Sequence, residues 1–578
     1  MNLKQFVPIL RNTANHNKRD WQNDVMAGIT VAVMLVPQGM AYALLAGIPP
    51  IYGLYGAFIP LLIYAIFGAS RYLAIGPVAI FSLLIYAGVS QVAEPFTPEF
   101  ISLVILSGLL VGILQVLLGV LRLGFLVNFI SHPVILGFTS AASIIIAINQ
   151  INDITGIGIP KFPELYQTLE FAVANWQEYN WISVGICVAS ILIIFLLRRI
   201  NKNIPGSLIV VLLFTLFVYF TGEDTYNLNI IGAVPEGLPT FGIPDLTLNK
   251  VLLLLPTVLT MTLIGIVESV GIAKVLQSKA GNYNIHPNQE LLALGLSKIG
   301  GAFFQGVPSS GSFSRSAINF ESGSKSGVAS IVAALLIGLT LLFLTPLFYF
   351  LPKAVLAAII LYAIRNLFDW KSTKDLWKAH RRDFFMMLTT FVVTLAVGIE
   401  EGVMAGVFLS IVIILLKSTK PHIAVLGRLP DTINYRNINR FQMAEQEENT
   451  LIMRFDDQLF FANASHLQDT VRELVNKDTG GLKLFILDAR CIHSIDSTGV
   501  HALEDLYKFF KSKKIKFYIA GFVGPVRDHV IKAGLIEKMG SKSHFLGVHQ
   551  AITHYKNEIA GKSEHWSPDA VQSNHPSN

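Results

Sequence analysis

Pro308-Ser-Ser-Gly-Ser-Phe-Ser-Arg315-Ser-Ala-Ile-Asn319 interrupts a long apolar region with serines, a glycine and one arginine. A second interruption, Ala74-Ile-Gly76-Pro77-Val-Ala-Ile-Phe-Ser82, lies in the other half of that region. Paired Gly/Pro breaks in corresponding halves are where secondary transporters place half-helices that end at a binding site. A helix starting after each break leaves N–H groups without intrahelical partners and presents roughly half a positive charge there. Two such ends aimed at one point, with a guanidinium beside them, hold an anion. Gly76 and Gly311 permit close backbone approach, and Ser312 and Ser314 add hydroxyls. The two stretches imply an α-helical membrane protein built from two related halves.

Composition supports this. Of 578 residues, 52% are hydrophobic and 14% charged, with mean hydropathy +0.55. Soluble chains carry about 25% charged residues, so the shortfall points to lipid. It is uneven: residues 25–417 hold nearly all the long apolar runs, and 421–578 have ordinary soluble composition. The net charge of +6 is accounted for by basic inner loops, with no call for nucleic acid. The two cysteines, Cys187 and Cys491, have neither metal spacing nor a disulfide framework, and no metal site is expected. The polar N-terminus lacks the apolar stretch and cleavage site of a signal peptide, so delivery is expected to rely on the first span. No Gly-rich phosphate loop ending in Gly-Lys-Ser/Thr is present, so energy is expected from an ion gradient or exchange. No nucleophile, base and oxyanion set converges, and an enzyme is not expected. The expected cofactor list is empty apart from Na+ or H+ as a coupling ion.

Crossing a bilayer takes roughly 20 apolar residues. The candidates are 25–46, 51–69, 77–91, 100–121, 125–149, 181–199, 205–221, 250–276, 288–305, 312–320, 327–349, 353–368, 383–398 and 401–418. Those after the breaks are too short to cross alone, which is tolerated where their ends line a protein cavity. With the N-terminus inside, alternate loops are basic (Arg71, Arg122, Arg198, Lys274, Lys325, Lys371 to Arg382), and the outer segments 92–99, 152–179 and 222–249 are mostly acidic or neutral. About fourteen spans put both termini in the cytoplasm. The outer loop 222–249 divides them into two sets of seven, and an odd number per half makes the second copy inverted. Pro37 stands about as far before Gly76-Pro77 as Glu268 stands before Ser312. The expected domains are a cytoplasmic segment 1–24, a transport domain 25–420, a linker 421–435, a soluble α/β domain 436–557 and a disordered tail 558–578.

The stretch from Pro37-Gln-Gly-Met-Ala-Tyr42 through LLAGIPPIYGLYGAFIPLLIYAIFGASRYLAIGPVAIFS to Ser82 resembles the signature of the sulfate permease (SulP) family of anion transporters. GVPSSGSFSRSAIN resembles the second site element of that family, and the C-terminal region resembles its STAS domain. The resemblance covers nearly the whole chain. It implies a 7+7 inverted repeat, a core domain moving against a gate of spans five to seven and twelve to fourteen, a homodimer, and residence in the inner membrane. It also implies that Gln38, Tyr42, Val78, Ala79, Ser312, Phe313, Ser314 and Arg315 line the site of a small anion such as sulfate or bicarbonate.

Arg315 has two readings: a field on the substrate, favoured here, or a structural pair with a carboxylate. An isolated charge at span depth costs at least roughly 2.5–3.5 kcal/mol, so a reason for it is required. Glu268, in Thr262-Leu-Ile-Gly-Ile-Val-Glu268-Ser-Val-Gly-Ile-Ala-Lys274, is expected to bind a coupling proton or cation or to pair with Arg315. Gly271 and Ile272 bring no side-chain oxygen, which weakens a sodium cage. Asn128 and His132-Pro133 are expected at the start of the fifth span, and Glu400 and Glu401 as solvated residues at a span boundary.

In the soluble part, Leu451–Phe455, Leu459–Phe461, Leu484–Asp488 and Phe517–Ala520 read as strands, and His466–Val475 and Gly499–Lys511 as helices. Ile495-Asp496-Ser497-Thr498-Gly499-Val500 resembles the Asp-Ser-x-Gly turn of STAS domains and anti-sigma-factor antagonists. Ser497 is a regulatory candidate there, read first as the cap of the following helix and second as a phosphorylation or nucleotide-sensing position. The leading function is secondary active transport of an anion, by symport or exchange. The alternatives are an uncoupled channel, or a membrane-anchored regulator whose STAS domain meets a cytoplasmic partner.

Overall fold

A computed structural model describes residues 7–14, 16–125, 131–160, 162, 165–200, 204–222, 225–281, 283–365, 367–477 and 481–561. The chain forms two compact units, residues 1–410 and 411–578. All fourteen segments read from the sequence carry a helix. They are α1 (Lys18–Leu45), α2 (Pro50–Phe67), α3 (Ala79–Val89), α4 (Pro98–Val120), α5 (His132–Asn149), α6 (Trp181–Ile200), α7 (Gly206–Thr221), α8 (Leu248–Ala280), α9 (Pro287–Phe303), α10 (Phe313–Glu321), α11 (Val328–Leu339), α12 (Lys353–Ile364), α13 (Arg381–Ala396) and α14 (Ile399–Thr419). Among the described residues, eight helices are long and apolar enough to cross a membrane by themselves. α3 has 11 residues and α10 has 9, so the two breaks do shorten the helices that follow them. Each break contains a two-residue strand, β1 (Ile75–Gly76) before α3 and β2 (Ser310–Gly311) before α10.

Local chemistry sets the boundaries. α1 opens with a capping box: Asn17 Oδ1 accepts from Asp20 N at 2.8 Å, and the Asp20 carboxylate accepts from Asn17 N at 3.1 Å. Proline occupies the first turn of α2, α4, α5 and α9, where its missing N–H costs no intrahelical bond. The helices pack in two groups. α1, α2 and α11 contact one another, α9 packs on α2 and α4, and α8 on α3 and α4; elsewhere α5 packs on α13 and α6 on α7 and α12. The α4–α9 contact uses glycines. A Cβ on Gly295 would sit 2.7 Å from the Gly112 carbonyl oxygen, so only paired small residues allow this approach.

Two expectations change in this region. α5 starts with Ser131 at the cap position and no side-chain cap bond, and Asn128 lies outside the described residues. Glu400 is not simply solvated, because it accepts from Thr257 Oγ1 at 2.6 Å.

The second unit contains a six-stranded sheet. Its strands are β3 (Ile423–Arg428), β4 (Tyr435–Asn437), β5 (Thr450–Phe455), β6 (Leu484–Asp488), β7 (Lys516–Ala520) and β8 (His544–Phe545), in the order β4-β3-β5-β6-β7-β8. β5 to β8 run parallel, and β4, β3 and β5 pair antiparallel. Helices α15 (Ala464–Lys477), α16 (Ser497–Ser512), α17 (Gly524–Lys532), α18 (Leu535–Met539) and α19 (Val548–Ile559) complete it. Phe485, Phe510 and Phe517 meet in its core, Phe485 and Phe510 stacked with centroids 4.5 Å apart.

The linker assignment for 421–435 is corrected. Residues 423–428 are a strand, with Leu426 opposite Ile452, and Tyr435 already belongs to the next one. The short alternating run follows directly on α14, so its period is hidden beside the longer apolar segment. Leu459–Phe461 is not a strand. Leu459 makes one parallel bridge to Ile495, and the chain then turns as Asn463 Oδ1 accepts from Phe460 N at 3.0 Å.

Candidate anion-binding site

The two interruptions meet. β1 and β2 pair antiparallel, with Ile75 opposite Gly311 and Gly76 opposite Ser310. Ser312 N extends the ladder by donating to Ala74 O at 3.1 Å. Each strand feeds a helix within three residues, and the strands run in opposite senses. α3 and α10 therefore leave the ladder in opposite directions with their positive ends at a common place. Side chains lock the crossing: Ala74 N donates to Ser316 Oγ at 2.9 Å, Asn319 Nδ2 to Tyr72 O at 3.0 Å, and Gly311 N to Ser269 Oγ at 3.0 Å.

The two helix starts differ. Val78 caps α3 with no side-chain bond, so that end offers backbone alone. At α10, Ser312 Oγ accepts from Arg315 N at 3.5 Å and lies 3.4 Å from Ser314 Oγ. Val78 and Ala79 are buried, while Phe313 is 53% exposed and Ser314 is exposed.

Arg315 is only 1% exposed. Its Nη1 donates to Gln38 Oε1 at 3.2 Å and its Nη2 to Pro77 O at 3.1 Å, while Nε has no partner among the described residues. The guanidinium thus bridges α1, the start of α3 and its own helix. A Cβ on Gly76 would lie 3.3 Å from Nη2 and 2.9 Å from Leu35 Cδ1, which is why glycine stands there. The alternative in which Glu268 pairs directly with Arg315 is not realised. Glu268 Oε2 instead accepts from Ser310 Oγ at 3.3 Å, and Ser310 Oγ lies 3.1 Å from Ser269 Oγ. Arg315 is held by neutral acceptors and not by a carboxylate, so its field is available to a bound anion.

Two cavities open beside these groups. Gln38 and Ser314 line one of about 40 Å³ together with Arg198, Ser207 and Tyr362. Glu268 and Phe313 line a larger, mostly apolar one of about 210 Å³ with Ile80, Phe138 and Val403. In both, residues of α1, α3, α8 or α10 face residues of α5, α6, α7, α12 or α14, across the seam between the two packing groups. Tyr42 is 5% exposed and sits one turn beyond Gln38 on α1. The cluster therefore joins Gln38, Val78, Ser312, Ser314 and Arg315, with Glu268 and Phe313 on the adjoining cavity.

Ser497 belongs to the other unit and is not the helix cap. Asp496 is: its Oδ1 accepts from Gly499 N at 2.7 Å and its Oδ2 from Phe461 N at 3.0 Å. Ser497 is the first residue of α16 and is exposed. Among the described residues no group of three or more His, Cys, Asp and Glu could hold a metal ion.

Sequence reasoning passed over four buried polar residues. Lys298 is 2% exposed in α9 and donates to Gln115 Oε1 at 3.0 Å. Glu290 accepts from Tyr64 OH and from Ala69 N at 2.9 Å and Ser70 N at 3.2 Å. Asp24 and Gln115 are fully buried. The signal for Lys298 was present as a lone cation inside Leu294-Gly-Leu-Ser-Lys298-Ile-Gly-Gly301.

Crossed half-helices in a bundle of apolar helices, followed by a small α/β domain, are the architecture of a multi-pass membrane transporter. Comparison with known proteins agrees. Residues 21–390 match the sulfate permease family and residues 441–551 the STAS domain. The chain is 40% identical over 546 residues to sulfate transporter 4.1, chloroplastic, of Arabidopsis thaliana, covering 92% of this chain and 79% of that one. It matches the structure of murine Solute Carrier 26 family member A9, an anion transporter in the inward-facing state, with a TM-score of 0.88 at 25% identity over 95% of this chain and 94% of that one. The transmembrane domain of a cyanobacterium bicarbonate transporter, BicA, shares the fold at a TM-score of 0.60 and 22% identity, covering 68% of this chain and 98% of that chain. The chain belongs to the sulfate permease family and is an anion transporter with a C-terminal STAS domain.

Proposed function

We propose that the chain moves a small oxyanion, sulfate first and bicarbonate second, by secondary active transport with alternating access. The observation that carries this reading is the antiparallel β1–β2 pair, which brings two helix N-termini together beside a buried arginine lacking a carboxylate contact. Backbone N–H groups of α3 and α10 and the hydroxyls of Ser312 and Ser314 would receive the anion, with Arg315 supplying field and Gln38 orienting Arg315. Sulfate leads because the Arabidopsis relative with 40% identity is a sulfate transporter.

The helices that hold the site move as a body against α5–α7 and α12–α14, so that the seam opens to each side in turn. Glu268 is the coupling group. It touches the ladder through Ser310 and borders the larger cavity, so its protonation and the occupancy of the site bear on each other. Symport with a proton follows if Glu268 must be neutral for the loaded body to move. The protein acts in the inner membrane of a cell as a homodimer, with both termini cytoplasmic, and Ser497 is exposed where a cytoplasmic partner or a kinase would reach it.

Uptake into proteoliposomes of labelled sulfate, bicarbonate, chloride, nitrate and a dicarboxylate, with and without imposed proton and sodium gradients, tests the whole reading. Sulfate uptake driven by an inward proton gradient is expected. A current whose reversal follows the anion gradient alone would replace the carrier with a channel. Loss of all uptake on deleting residues 421–578, which removes the whole sheet, with the anion site also lost, would favour the regulator.

A further inference from the structure

Nothing in the anion site accounts for Lys298. It sits in mid-α9, is 2% exposed, and its ammonium has three N–H donors to place. The structure gives it one hydrogen-bond acceptor, Gln115 Oε1 at 3.0 Å, and one ring, Phe81, with Nζ 5.7 Å from the centroid. Gln115 turns its oxygen to the lysine, and its own Nε2 has no partner among the described residues. An amide turned oxygen-first towards an amine, with a π-face alongside, is a seat for a charged ammonium.

The seat adjoins the anion site. Phe81 is in the first turn of α3, the helix whose N-terminus has no side-chain cap. The far edge of its ring lies against Gly265 of α8, where a Cβ would be 2.5 Å from Phe81 Cζ and 3.3 Å from Gln115 Nε2. Gly265 precedes Glu268 by less than one turn, and Lys298 and Glu268 interact electrostatically. Lys298 therefore shares the Phe81 ring with the first turn of α3, and Phe81 and Gln115 pack on α8 at Gly265, on the same side as Glu268 within one turn.

The balance of charge gives this position a meaning. Glu290, buried on the same packing group, is met by Tyr64 OH and two backbone N–H groups, and Asp24 by His16, two serine hydroxyls and the N–H groups of Lys325 and Ser326. These two acids are hydrogen-bonded where they stand. Among the described residues, the charges around the site are Arg315, Lys298 and, half-buried at the smaller cavity, Arg198, all positive, and Glu268, negative. Each fixed cation attracts a divalent anion with twice the energy of a monovalent one at the same place. A buried cation close to the site therefore raises the preference for the divalent anion, and the low dielectric enlarges that difference.

We propose that Lys298 is a tethered counter-cation that sets the valence preference of the site, favouring a divalent over a monovalent oxyanion. It acts through space and not by contact, so it is a specificity-determining residue. The inference rests on the anion-transport reading above and names the substrate class of that same site.

The test measures binding of sulfate and of nitrate to the purified full-length protein by titration calorimetry, and uptake of both in proteoliposomes. Lys298→Met keeps bulk and removes charge; Lys298→Arg keeps charge. The sulfate-to-nitrate affinity ratio is expected to fall about tenfold in Lys298→Met, mostly through sulfate, and to recover towards wild type in Lys298→Arg. Should Lys298→Met not fold, Gln115→Leu removes the acceptor that holds the ammonium and shifts the ratio the same way by a smaller factor. A folded Lys298→Met or Gln115→Leu with the wild-type ratio overturns the proposal, as does a loss equal for both anions or one that Lys298→Arg fails to recover. Wild-type protein that binds neither anion would overturn the transport reading itself, whereas wild-type protein that binds both while Lys298→Met keeps the ratio overturns only the role of Lys298.

Discussion

The N-termini of α3 and α16 begin with the same unsatisfied N–H groups and end differently. At α16 the carboxylate of Asp496 accepts from Gly499 N at 2.7 Å, closing the helix end with the protein's own anion. At α3 the cap position holds Val78, which has no side chain able to accept. α10 lies between them, with Ser312 reaching Arg315 N at a long 3.5 Å. A capped terminus is stabilised; an uncapped one, buried in a membrane, is stable only if a ligand, a neighbouring side chain or water completes it. The protein leaves α3 uncapped, holds α10 by one long bond and closes α16, and α3 and α10 are the ends that the β1–β2 pair brings together beside Arg315.

Breaking this contrast at its strongest point means removing Arg315. Arg315→Ala deletes two charge-assisted bonds and the guanidinium at the crossing, and anion affinity measured by titration calorimetry should fall about 10- to 100-fold. Unchanged affinity would return Arg315 to a structural role. Glu268→Gln should come next: proton-driven uptake is lost, and exchange of labelled for unlabelled anion persists with little dependence on pH. Uptake that still follows the proton gradient would move the coupling group elsewhere.

Gly76→Ala probes the closeness of the crossing. Its Cβ would press on Leu35 and the guanidinium, at a cost of about 1–3 kcal/mol, and should weaken binding less than removing the guanidinium does. The capped terminus gives the smallest effects. Asp496→Ala should cost about 1 kcal/mol locally and speed hydrogen exchange at the Gly499 amide, whereas Ser497→Ala should leave that exchange unaltered. An effect of Ser497→Ala on transport with no change in exchange would identify a regulatory position.

The helices and the two breaks are legible in the residue order. Every long apolar segment forms a helix because hydropathy over a bilayer's thickness is a local property of the chain. Gly76-Pro77 and Pro308 to Ser312 stand out as breaks because glycine and proline act on their own backbone. Harder to read is anything settled by a distant neighbour. The strand Ile423–Arg428 is hidden because its partner Thr450–Phe455 lies beyond a loop, and Asp496 takes the cap from Ser497 because Phe461 N also needs an acceptor. The same holds for Lys298, whose meaning depends on Gln115 and Phe81 from two other helices.

Residue order alone therefore determined the membrane class, the positions of the helices, the two interruptions and the presence of an unusual arginine and glutamate in or near them. Only tertiary structure decided that Arg315 rests on Gln38 and the Pro77 carbonyl and not on Glu268, and that a lysine from α9 shares their neighbourhood. Hydropathy and backbone propensity act over a few residues, whereas the partner of a buried charge is chosen among all the helices that packing brings within a few ångströms. That choice has no trace in the spacing of the residues that make it.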